Sequence, residues 1–487
     1  MEKKGNNEDI EKRRTLGVHL TSEQTFLSYI FPHIKDFLSQ YIWIDLFCGE
    51  GNLIFPILDH IPKSKRVAFF QHHIYLSDIQ PQMIQKCINK ALSYKIPLNL
   101  AKNNIFQRDN LGSIPNRLKN IQLPLYHITN PPYLYLGYIR KHEETKQHLK
   151  YFLKENEGYQ DLYQIAMMND LRNSIMNLVY IIPSNFIFGA SVSNKFRIDF
   201  LKYYDIKKLL IFETKLFDFT GTNICIVFFK RKESESAEVQ IFSGLKFKKN
   251  NTVLERNYTL RPDFKYRGGA EFDDFTKKNK SLSPLKVKYY LLNKEVEANQ
   301  GREKITVIDA NEYVSSTYKR KTLQVLNSLK NKITSNILYV RTVDTGTMEG
   351  RVGLYLIRND FNVDGIYVSK APYRTSPIQI FLTPMISPAD QLLLKDYFNM
   401  ILEYFRTKLD SEFLTTYKYS NAEYTRKYLG LTQVRKLIQT FPINKIDDNN
   451  KEKLTDLIGS KSVEEILKFI IELKKNTKKE DPTSREE

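Results

Sequence analysis

Short apolar runs alternate with amphipathic segments between residues 40 and 232 of the 487-residue chain. Seven of these runs are rich in Ile, Val, Leu, Phe or Tyr and have the length of buried strands: 41–48, 74–78, 98–104, 125–130, 178–183, 207–212 and 224–229. Helical periodicity lies between most of them, for instance over residues 81–91, 162–173 and 193–203. Short buried strands that alternate with helices predict an α/β fold with a largely parallel sheet. In such sheets ligands bind at the carboxyl ends of the strands.

The pattern changes after a polar, linker-like stretch at residues 233–238. Residues 240–440 are less regular, with strand-like pieces at 351–357, 365–369 and 378–382 and a helical stretch at 389–409. We therefore expect a first domain over residues 1–235 and a second, mixed α+β domain over residues 240–460. The charged, proline-containing residues 474–487 are expected to form a disordered tail.

The chain carries 74 Lys and Arg against 55 Asp and Glu, a formal net charge of +19. This excess favours a polyanionic partner such as nucleic acid, although a generally basic proteome gives the same balance. No apolar run approaches the ~20 residues of a membrane span, and the charged N-terminus lacks the apolar core of a signal peptide. Three cysteines in so long a chain argue against a disulfide framework, and no Cys/His spacing suggests zinc. We expect a cytoplasmic protein without a bound metal.

Two groups of residues after the first two strands have the composition of a nucleotide site. Asp45, Phe47, Gly49 and Gly51 lie at the end of the first strand, where two glycines allow a tight turn and close approach of the backbone to a ligand. Asp78 lies at the end of the second strand, where a carboxylate can accept hydrogen bonds from both ribose hydroxyls of an adenosyl group. An ordinary strand-to-helix turn and a helix N-cap are the alternatives. The third glycine of the dinucleotide pattern is missing, and no P-loop occurs.

A third group, Asn130-Pro131-Pro132-Tyr133, follows the fourth strand. Two consecutive prolines exclude a continuing strand or helix and fix a stiff, extended turn. Asn130 Oδ1 and the Pro131 carbonyl can then both accept from one NH2 group, and Tyr133 can offer its ring to a planar base. A structural loop is the alternative. The tetrapeptide is uncommon and stands in the expected context, so we favour a functional role.

In order and spacing, these three groups resemble the amino-methyltransferase family, most closely the gamma-class N6-adenine DNA methyltransferases of restriction–modification systems. The match covers about residues 12–232, nearly half the chain. It implies a Rossmann-like, S-adenosylmethionine-dependent methyltransferase sheet followed by a C-terminal DNA-recognition domain. It also implies that an adenine is flipped out of a duplex and methylated on N6.

The resemblance assigns roles to individual residues. Residues 12–40 are expected to close over the cofactor. The implied contacts of S-adenosylmethionine are Thr21, Asp45, Phe47, Gly49, Gly51, Asp78, Ile79, Asn104 and Asn130. The implied catalytic residues are Asn130, Pro131, Pro132 and Tyr133, together with Phe229 in the last strand, which would stack on the flipped base, and Phe228 as the second choice for that position.

One position departs from the family pattern. The family has Asp after the third strand, in contact with the adenine amino group of the cofactor, and the best match here is Asn104. An amide oxygen still accepts this hydrogen bond, but without the contribution of a charge. The departure bears on cofactor affinity rather than on the type of reaction.

The second domain supplies sequence choice in this interpretation. The candidate DNA contacts are Lys370, Tyr373, Arg374, Lys418, Asn421, Arg426 and Lys427, which are residue types that contact bases and phosphates. A polar surface loop explains any single one of them equally well. The family further implies a monomer that acts on double-stranded DNA, and it leaves room for a cognate restriction endonuclease as a separate partner.

Two other function classes remain open. RNA and protein (glutamine) amino-methyltransferases carry Asn-Pro-Pro-Tyr or close variants, but the basic region of about 250 residues after the last strand favours DNA. A non-catalytic nucleic-acid-binding subunit needs neither Asn130–Tyr133 nor the pair Gly49 and Gly51, so their presence argues against it.

Overall fold

The computed structural model describes residues 21–118, 122–190, 192–214, 216, 223–345, 347, 350–372, 376–418, 426–444 and 446–480, with the backbone alone at 417, 418 and 477–480. The chain divides into two compact units after Gly268. Within the described ranges, no helix combines the length and the apolar character that crossing a membrane requires.

A nine-stranded sheet organises the first unit. Its strands are β1 (Ile42–Asp45), β2 (Ile74–Asp78), β3 (Ile105–Gln107), β4 (Leu125–Thr129), β5 (Asn177–Pro183), β6 (Tyr204–Phe212), β7 (Ile224–Arg231), β8 (Gln240–Phe247) and β9 (Val253–Leu260). Their order in the sheet is β3-β2-β1-β4-β5-β7-β6-β8-β9. The strands from β3 to β5 are parallel, and β7 runs antiparallel between β5 and β6. The predicted α/β fold with a largely parallel, Rossmann-like sheet is confirmed.

The strand order reverses between β1 and β4. From β1 the chain moves outward to β2 and β3, and it then returns to β4 on the other side of β1. The loops after β1 and β4 therefore diverge and leave a crevice at the carboxyl ends of the strands, which is the usual ligand position in such sheets. Every residue of β1 is buried, and an apolar cluster packs on each face of the sheet, as expected for a central parallel strand.

Eight helices accompany this sheet in the described residues: α1 (Glu23–Tyr29), α2 (Arg66–His73), α3 (Pro81–Ser93), α4 (Leu98–Asn104), α5 (Leu136–Ile139), α6 (Leu162–Arg172), α7 (Asn185–Phe188) and α8 (Asn194–Leu201). The helix α3 illustrates why they form. Pro81 occupies its first position, where no backbone N–H is needed, and Ile84, Cys87, Ile88 and Ala91 make one buried stripe.

Two sequence predictions about this unit differ from the structure. Residues 98–104 form helix α4 rather than a strand, because Pro97 precedes a run with the helix formers Leu, Ala and Lys. The third strand is instead the three-residue β3 that follows. The sheet also continues past the predicted domain boundary, since β8 pairs with β6 and β9 with β8. The first unit therefore extends to Gly268 rather than ending at residue 235.

The second unit contains two four-stranded sheets, a two-stranded ribbon and a group of helices. The strands are β10 (Lys286–Tyr289), β11 (Leu291–Leu292), β12 (Gln300–Val314), β13 (Thr317–Val325), β14 (Leu338–Arg341), β15 (Gly353–Leu356), β16 (Gly365–Val368), β17 (Ile378–Thr383), β18 (Thr415–Lys418) and β19 (Arg426–Tyr428). The sheet orders are β10-β17-β14-β15 and β11-β16-β12-β13, and β18 pairs with β19.

The helices of this unit are α9 (Glu271–Lys278), α10 (Asn293–Glu297), α11 (Asn327–Ser335), α12 (Ile357–Phe361), α13 (Pro388–Lys408), α14 (Leu431–Ile438), α15 (Asp448–Gly459) and α16 (Val463–Glu480). Residues 474–480, which the sequence assigned to a disordered tail, belong to α16. Ile466, Phe469 and Ile470 form a buried stripe on this helix within the core, which accounts for its order. Residues 481–487 lie outside the described residues.

Candidate active site

A cavity with about 1150 Å³ of empty space, part of it open to solvent, lies at the carboxyl ends of β1, β2, β3 and β4. The loops after all four strands contribute to its walls. The predicted cofactor contacts that line it are Thr21, Asp45, Phe47, Gly49, Asp78, Ile79 and Asn130, joined by Pro132 of the predicted catalytic motif. The structure thus brings together residues that are up to 111 positions apart, from Thr21 to Pro132, at the point where the strand order reverses.

The turn after β1 depends on its two glycines. Gly49 and Gly51 both have positive φ angles, of 50° and 77°. A side chain at residue 51 would place its Cβ 2.4 Å from Cδ2 of Phe55, so only glycine fits there. Gly51 therefore shapes the loop without lining the cavity, whereas Gly49 lines it.

Two buried carboxylates stand at the base of the cavity. Asp78 joins two loops, because its Oδ2 accepts from the backbone N–H of Gly49 and its Oδ1 from that of Gln80, each at 2.9 Å. Asp45 Oδ1 accepts from the backbone N–H of Phe47 at 3.0 Å and from the Thr129 hydroxyl at 2.6 Å. Burial raises the pKa of Asp45 to about 6 and also raises the pKa of Asp78. Such a pair favours a ligand that carries positive charge.

The Asn130 side chain is held from two sides. Its Nδ2 donates to Thr21 Oγ1 at 3.0 Å, and its Oδ1 accepts from the Tyr133 hydroxyl. The Tyr133 hydroxyl also contacts the carbonyl of Ile181 in β5, and its partly buried ring packs against both apolar clusters. Tyr133 therefore occupies the amide oxygen that the sequence assigned to a substrate amino group. Residues 12–20 of the predicted closing segment lie outside the described residues.

The end of the Asn130–Tyr133 motif is fixed by the helix that follows. The backbone N–H of Leu134 donates to Asp161 Oδ1 at 2.9 Å, and Asp161 is the N-cap residue of α6. Burial raises the pKa of Asp161 to about 7. This contact links the motif to α6.

Asn104 does not reach the cavity, contrary to the sequence prediction. It ends α4 at the amino side of β3, and it is completely buried. Its Nδ2 donates to the carbonyls of Phe70, Gln71 and Ile74 at 2.9, 3.1 and 2.9 Å. Asn104 is therefore a structural residue that closes the carboxyl end of α2, and the third strand was placed seven residues too early.

The residues that follow the true third strand are Arg108, Asp109 and Asn110, and all three line the cavity. Asp109 Oδ2 accepts from the Tyr151 hydroxyl at 2.6 Å, and Asp109 Oδ1 accepts from the backbone N–H of Leu111 at 3.1 Å. Asp109 therefore stands after the third strand, at the position that the sequence prediction gave to Asn104. The only sequence signal was the polar run after Ile105, because a three-residue strand is too short to recognise from its pattern.

Phe229 does not reach the cavity either. It pairs with Leu178 near the amino end of β5, whereas the Tyr133 hydroxyl lies at Ile181. Three residues along a strand correspond to about 10 Å. The Phe229 ring is buried against Phe186. Its second choice, Phe228, is also buried and faces the opposite cluster. Antiparallel pairing instead brings the start of β7 to the edge of the sheet that holds the cavity.

The predicted DNA contacts of the second unit fall into three groups. Tyr373, Arg374 and Asn421 lie outside the described residues, and of Lys418 only the backbone is described, in β18. Lys370 is exposed, and its backbone N–H donates to Asn311 Oδ1 at 2.9 Å.

Arg426 and Lys427 instead contribute to packing within the second unit. The backbone N–H of Lys427 donates to Asp344 Oδ2 at 3.1 Å, and Arg426 Nε donates to the Asp344 carbonyl at 2.7 Å. Asp344 is fully buried and also pairs with Arg406 at 3.0 Å. The Lys427 side chain is buried, which does not suit a contact with DNA.

The cavity residues fit S-adenosylmethionine. The Asp45 and Asp78 carboxylates suit its positive charges and its ribose hydroxyls. Ile79 is 54% exposed beside Asp78 and offers an apolar surface to a base. Among the described residues, the Asn110 side-chain oxygen is buried in the cavity wall without a hydrogen-bond partner, as a site completed by a ligand requires.

Sequence comparison finds no matching family model and no matching curated protein. Among solved structures, the type IIL restriction–modification enzyme MmeI, in complex with DNA, matches with a TM-score of 0.50 and 12% identity over 92% of this chain and 71% of MmeI. The chain shares its fold with this enzyme.

Other structural neighbours include restriction–modification and S-adenosylmethionine-dependent methyltransferases. A protein assigned as a type I modification subunit from Vibrio vulnificus YJ016 matches with a TM-score of 0.35 and 12% identity, over 71% of this chain and 61% of that one. A protein assigned to the class I S-adenosylmethionine-dependent methyltransferases of Listeria monocytogenes matches with a TM-score of 0.33 and 16% identity, over 50% of this chain and 71% of that one. The chain spans only 31% and 30% of two further matched proteins.

Proposed function

We propose that this protein is a site-specific DNA methyltransferase of the gamma class, which transfers a methyl group from S-adenosylmethionine to N6 of a flipped-out adenine. The observation that carries the proposal is the meeting of the Gly49 loop, Asp78, Asp109 and Asn130 in one cavity at the reversal of strand order. A protein that only binds nucleic acid has no need of this set. We further propose that it acts as a monomer on duplex DNA beside a cognate endonuclease.

Asn130 and Pro131 would act on the target amine. The lone pair of the adenine amine is delocalised into the ring, which makes the amine a poor nucleophile. Hydrogen bonds from its two N–H groups to Asn130 Oδ1 and to the Pro131 carbonyl localise that lone pair on nitrogen. When bound, S-adenosylmethionine supplies an electrophilic methyl group. The contribution of the protein is therefore positioning and preorganised dipoles, and the proton that the amine loses after methyl transfer passes to solvent.

Tyr133 would change partners when the base enters. Its hydroxyl now donates to Asn130 Oδ1, the atom that the amine requires. On base binding the hydroxyl releases this oxygen, and the ring stacks on the base and recovers part of the cost of flipping. The second unit would select the target sequence, with Lys370 as the described candidate for contact with DNA.

The test is transfer of a labelled methyl group from S-adenosylmethionine to duplex DNA, structured RNA and a protein extract in parallel. Asn130→Ala serves as the blank, because it removes the amine acceptor, and cofactor binding by this variant is measured by calorimetry. We expect label in DNA, recovered as N6-methyladenine, none from Asn130→Ala, and cofactor affinity of that variant within about threefold of the wild type.

The other outcomes assign the protein differently. Label in RNA or in protein would support an amino-methyltransferase of another substrate class and would reassign the second unit. A wild-type protein that does not bind S-adenosylmethionine would contradict the proposal and favour a nucleic-acid-binding subunit. Loss of cofactor binding in Asn130→Ala would contradict the role given to that residue.

A further inference from the structure

Several polar atoms at one end of the cavity lack hydrogen-bond partners. Among the described residues, these buried atoms are Asn110 Oδ1, Arg108 Nε and both ring nitrogens of His148, and all three residues line the cavity. Buried polar groups in folded proteins are nearly always paired, so each exception needs an explanation. Four such atoms, on three residues around one cavity, point to a ligand that completes them.

These atoms lie at the end of the cavity that β3 supplies. Arg108 and Asn110 flank Asp109 directly after the strand. Asn110 cannot turn its oxygen elsewhere, because its Nδ2 donates to the Leu46 carbonyl at 2.6 Å and to Ser77 Oγ at 2.7 Å. Its Oδ1 is therefore fixed as an acceptor in the cavity wall.

His148 reaches the same end from another part of the chain, the segment Glu143–Phe152, which is built of 3-10 turns. Tyr151 of this segment donates to Asp109 Oδ2, and Lys150 Nζ lies 3.8 Å from the same oxygen. The His148 and Tyr151 rings pack with their centroids 6.1 Å apart. These contacts anchor the segment on the loop after β3 and hold the His148 ring in the cavity wall.

The donors and acceptors at this end of the cavity are of the kinds that an adenine base needs. The amino group of adenine donates, and its ring nitrogens accept. Asn110 Oδ1 accepts and Arg108 Nε–H donates, while a neutral imidazole offers one donor and one acceptor. A hypoxanthine base reverses this pattern, because it carries a carbonyl in place of the amino group and an N–H at N1.

We propose that His148, together with Asn110, reads the adenine base of S-adenosylmethionine and is a specificity-determining residue of this enzyme. The inference rests on the proposed function, since it presupposes that cofactor. Sequence patterns gave no sign of it, because His148 lies 38 residues after Asn110 in a segment without a recognisable motif.

The charge state of His148 agrees with this role. Burial, and then the positive charge of Lys150, lower the pKa of His148 below its ordinary value, and the nearby Asp109 acts in the opposite direction. Tyr151 and Arg108 also line this end of the cavity, and Asp45 and Asp78 line the cavity as well. Near neutral pH the ring is therefore uncharged and can donate with one nitrogen and accept with the other.

The experiment is calorimetric binding of S-adenosylhomocysteine and of S-inosylhomocysteine, which carries hypoxanthine, to the full chain at pH 7.5. The variants are His148→Phe and His148→Ala, with His148→Gln as the conservative replacement. His142→Phe is the matched control, because the His142 ring stacks on Tyr138 and does not line the cavity. Thermal unfolding of each variant is recorded alongside.

We expect the wild type and His142→Phe to bind the adenine compound at least tenfold more tightly than the inosine compound. His148→Phe and His148→Ala should bind the adenine compound about tenfold more weakly and lose most of this preference. His148→Gln should recover part of it, because an amide also offers a donor and an acceptor.

Wild-type affinity and preference in the folded Phe or Ala variant would overturn the inference and leave the cofactor assignment intact. If His148→Phe fails to fold, His148→Ala decides by the same criterion. A wild-type protein that binds neither compound would instead refute the proposed function, and with it this inference.

Discussion

The hydrogen bond between Tyr133 and Asn130 leads to a prediction about the two parts of the tyrosine. Tyr133→Phe removes the hydroxyl that occupies Asn130 Oδ1 but keeps the ring. We expect methyl transfer by this variant within about threefold of the wild type, and by Tyr133→Ala about tenfold or more below it, because base–aromatic stacking contributes about 1–3 kcal/mol. Steady-state kinetics on a duplex containing the target sequence measures both. Inactivity of Tyr133→Phe equal to that of Asn130→Ala would show that the hydroxyl itself is required.

Substitutions at Asp109 and at Asn104 should have different effects, the first on cofactor affinity and the second on stability. Asp109→Asn should weaken binding of S-adenosylhomocysteine about tenfold, because a carboxylate in the wall of the proposed cofactor site loses its charge, and should change stability little. Asn104→Leu leaves three carbonyls without their donor. It should lower the free energy of unfolding by about 2–3 kcal/mol without changing affinity. Calorimetry and urea denaturation measure the two effects, and a loss of affinity in folded Asn104→Leu would restore the original assignment.

Asp45 predicts how cofactor binding depends on pH. Its pKa is raised to about 6 by burial, so the carboxylate is largely protonated below pH 6 and ionised above it. The positive charges of S-adenosylmethionine favour the ionised form, and affinity should therefore rise between pH 5 and pH 7.5, by at most about tenfold per pH unit below the pKa. Asp45→Asn should bind more weakly with a flatter profile. The same pH dependence in that variant would assign it to another group, such as Asp78 or His148.

At the scale of elements, helix α6 holds the loops that form the cavity. Asn169 Nδ2 donates to the backbone carbonyls of Asn110 and Leu111, at 3.0 and 2.8 Å, after β3. Asp170 Oδ2 accepts from His127 Nδ1 at 2.6 Å. The backbone N–H of Leu46 donates to His127 Nε2 at 3.2 Å, so the proton of the neutral ring lies on Nδ1.

Removal of Asp170 should affect stability and cofactor binding together. Asp170→Ala leaves the buried His127 without its acceptor, and we expect a loss of about 3 kcal/mol in the free energy of unfolding. Cofactor affinity should also fall, because the loop at Leu46 loses its support. Asn173→Ala is the matched control, since the hydrogen bond of the Asn173 side chain within the described residues is to the backbone carbonyl of Asn169. Urea denaturation measures the stability and calorimetry measures the affinity. Unchanged affinity in a folded Asp170→Ala variant would show that the contacts of Asp170 and His127 affect stability alone.

The sequence located elements that are long and continuous in their pattern. The predicted strand at 74–78 agrees with β2 to the residue, and the prolines of Asn130–Tyr133 ended β4 as expected. It misplaced β3, which has only three residues. Contacts such as Asn110 with Leu46 join positions 64 apart, and no local pattern encodes them. The positions of the Phe228 and Phe229 side chains depend on the register of the antiparallel pairing. The apolar run in the sequence does not determine that register.

At the scale of the whole molecule, the net charge of +19 predicts that the proposed binding to DNA depends on salt. Binding that neutralises phosphates weakens as salt rises, with a slope of about −0.9 per contact in a plot of log affinity against log salt concentration. We expect such a dependence for the full chain on duplex DNA, measured by fluorescence anisotropy. Lys370→Ala should reduce the slope by about one contact, since this side chain is exposed.

Lys427→Met is the control for Lys370→Ala. Because Lys427 is buried beside Thr416, we expect a lower melting temperature and an unchanged salt slope. A reduced salt slope for Lys427→Met, together with an unchanged slope for Lys370→Ala, would contradict the placement of Lys370 on the surface and of Lys427 in the core.

The position of Asn169 and Asp170 next to each other on α6 has a consequence for redesign of the cavity. The same helix supports the loop at Leu46 and the loop at Asn110, and Asp161 at its start secures Leu134. A shift of α6 that enlarges one end of the cavity for a bulkier ligand would also move the other end and the loop Asn130–Tyr133. Enlargement is therefore better sought in the segment Glu143–Phe152, which Tyr151 and Lys150 attach to Asp109.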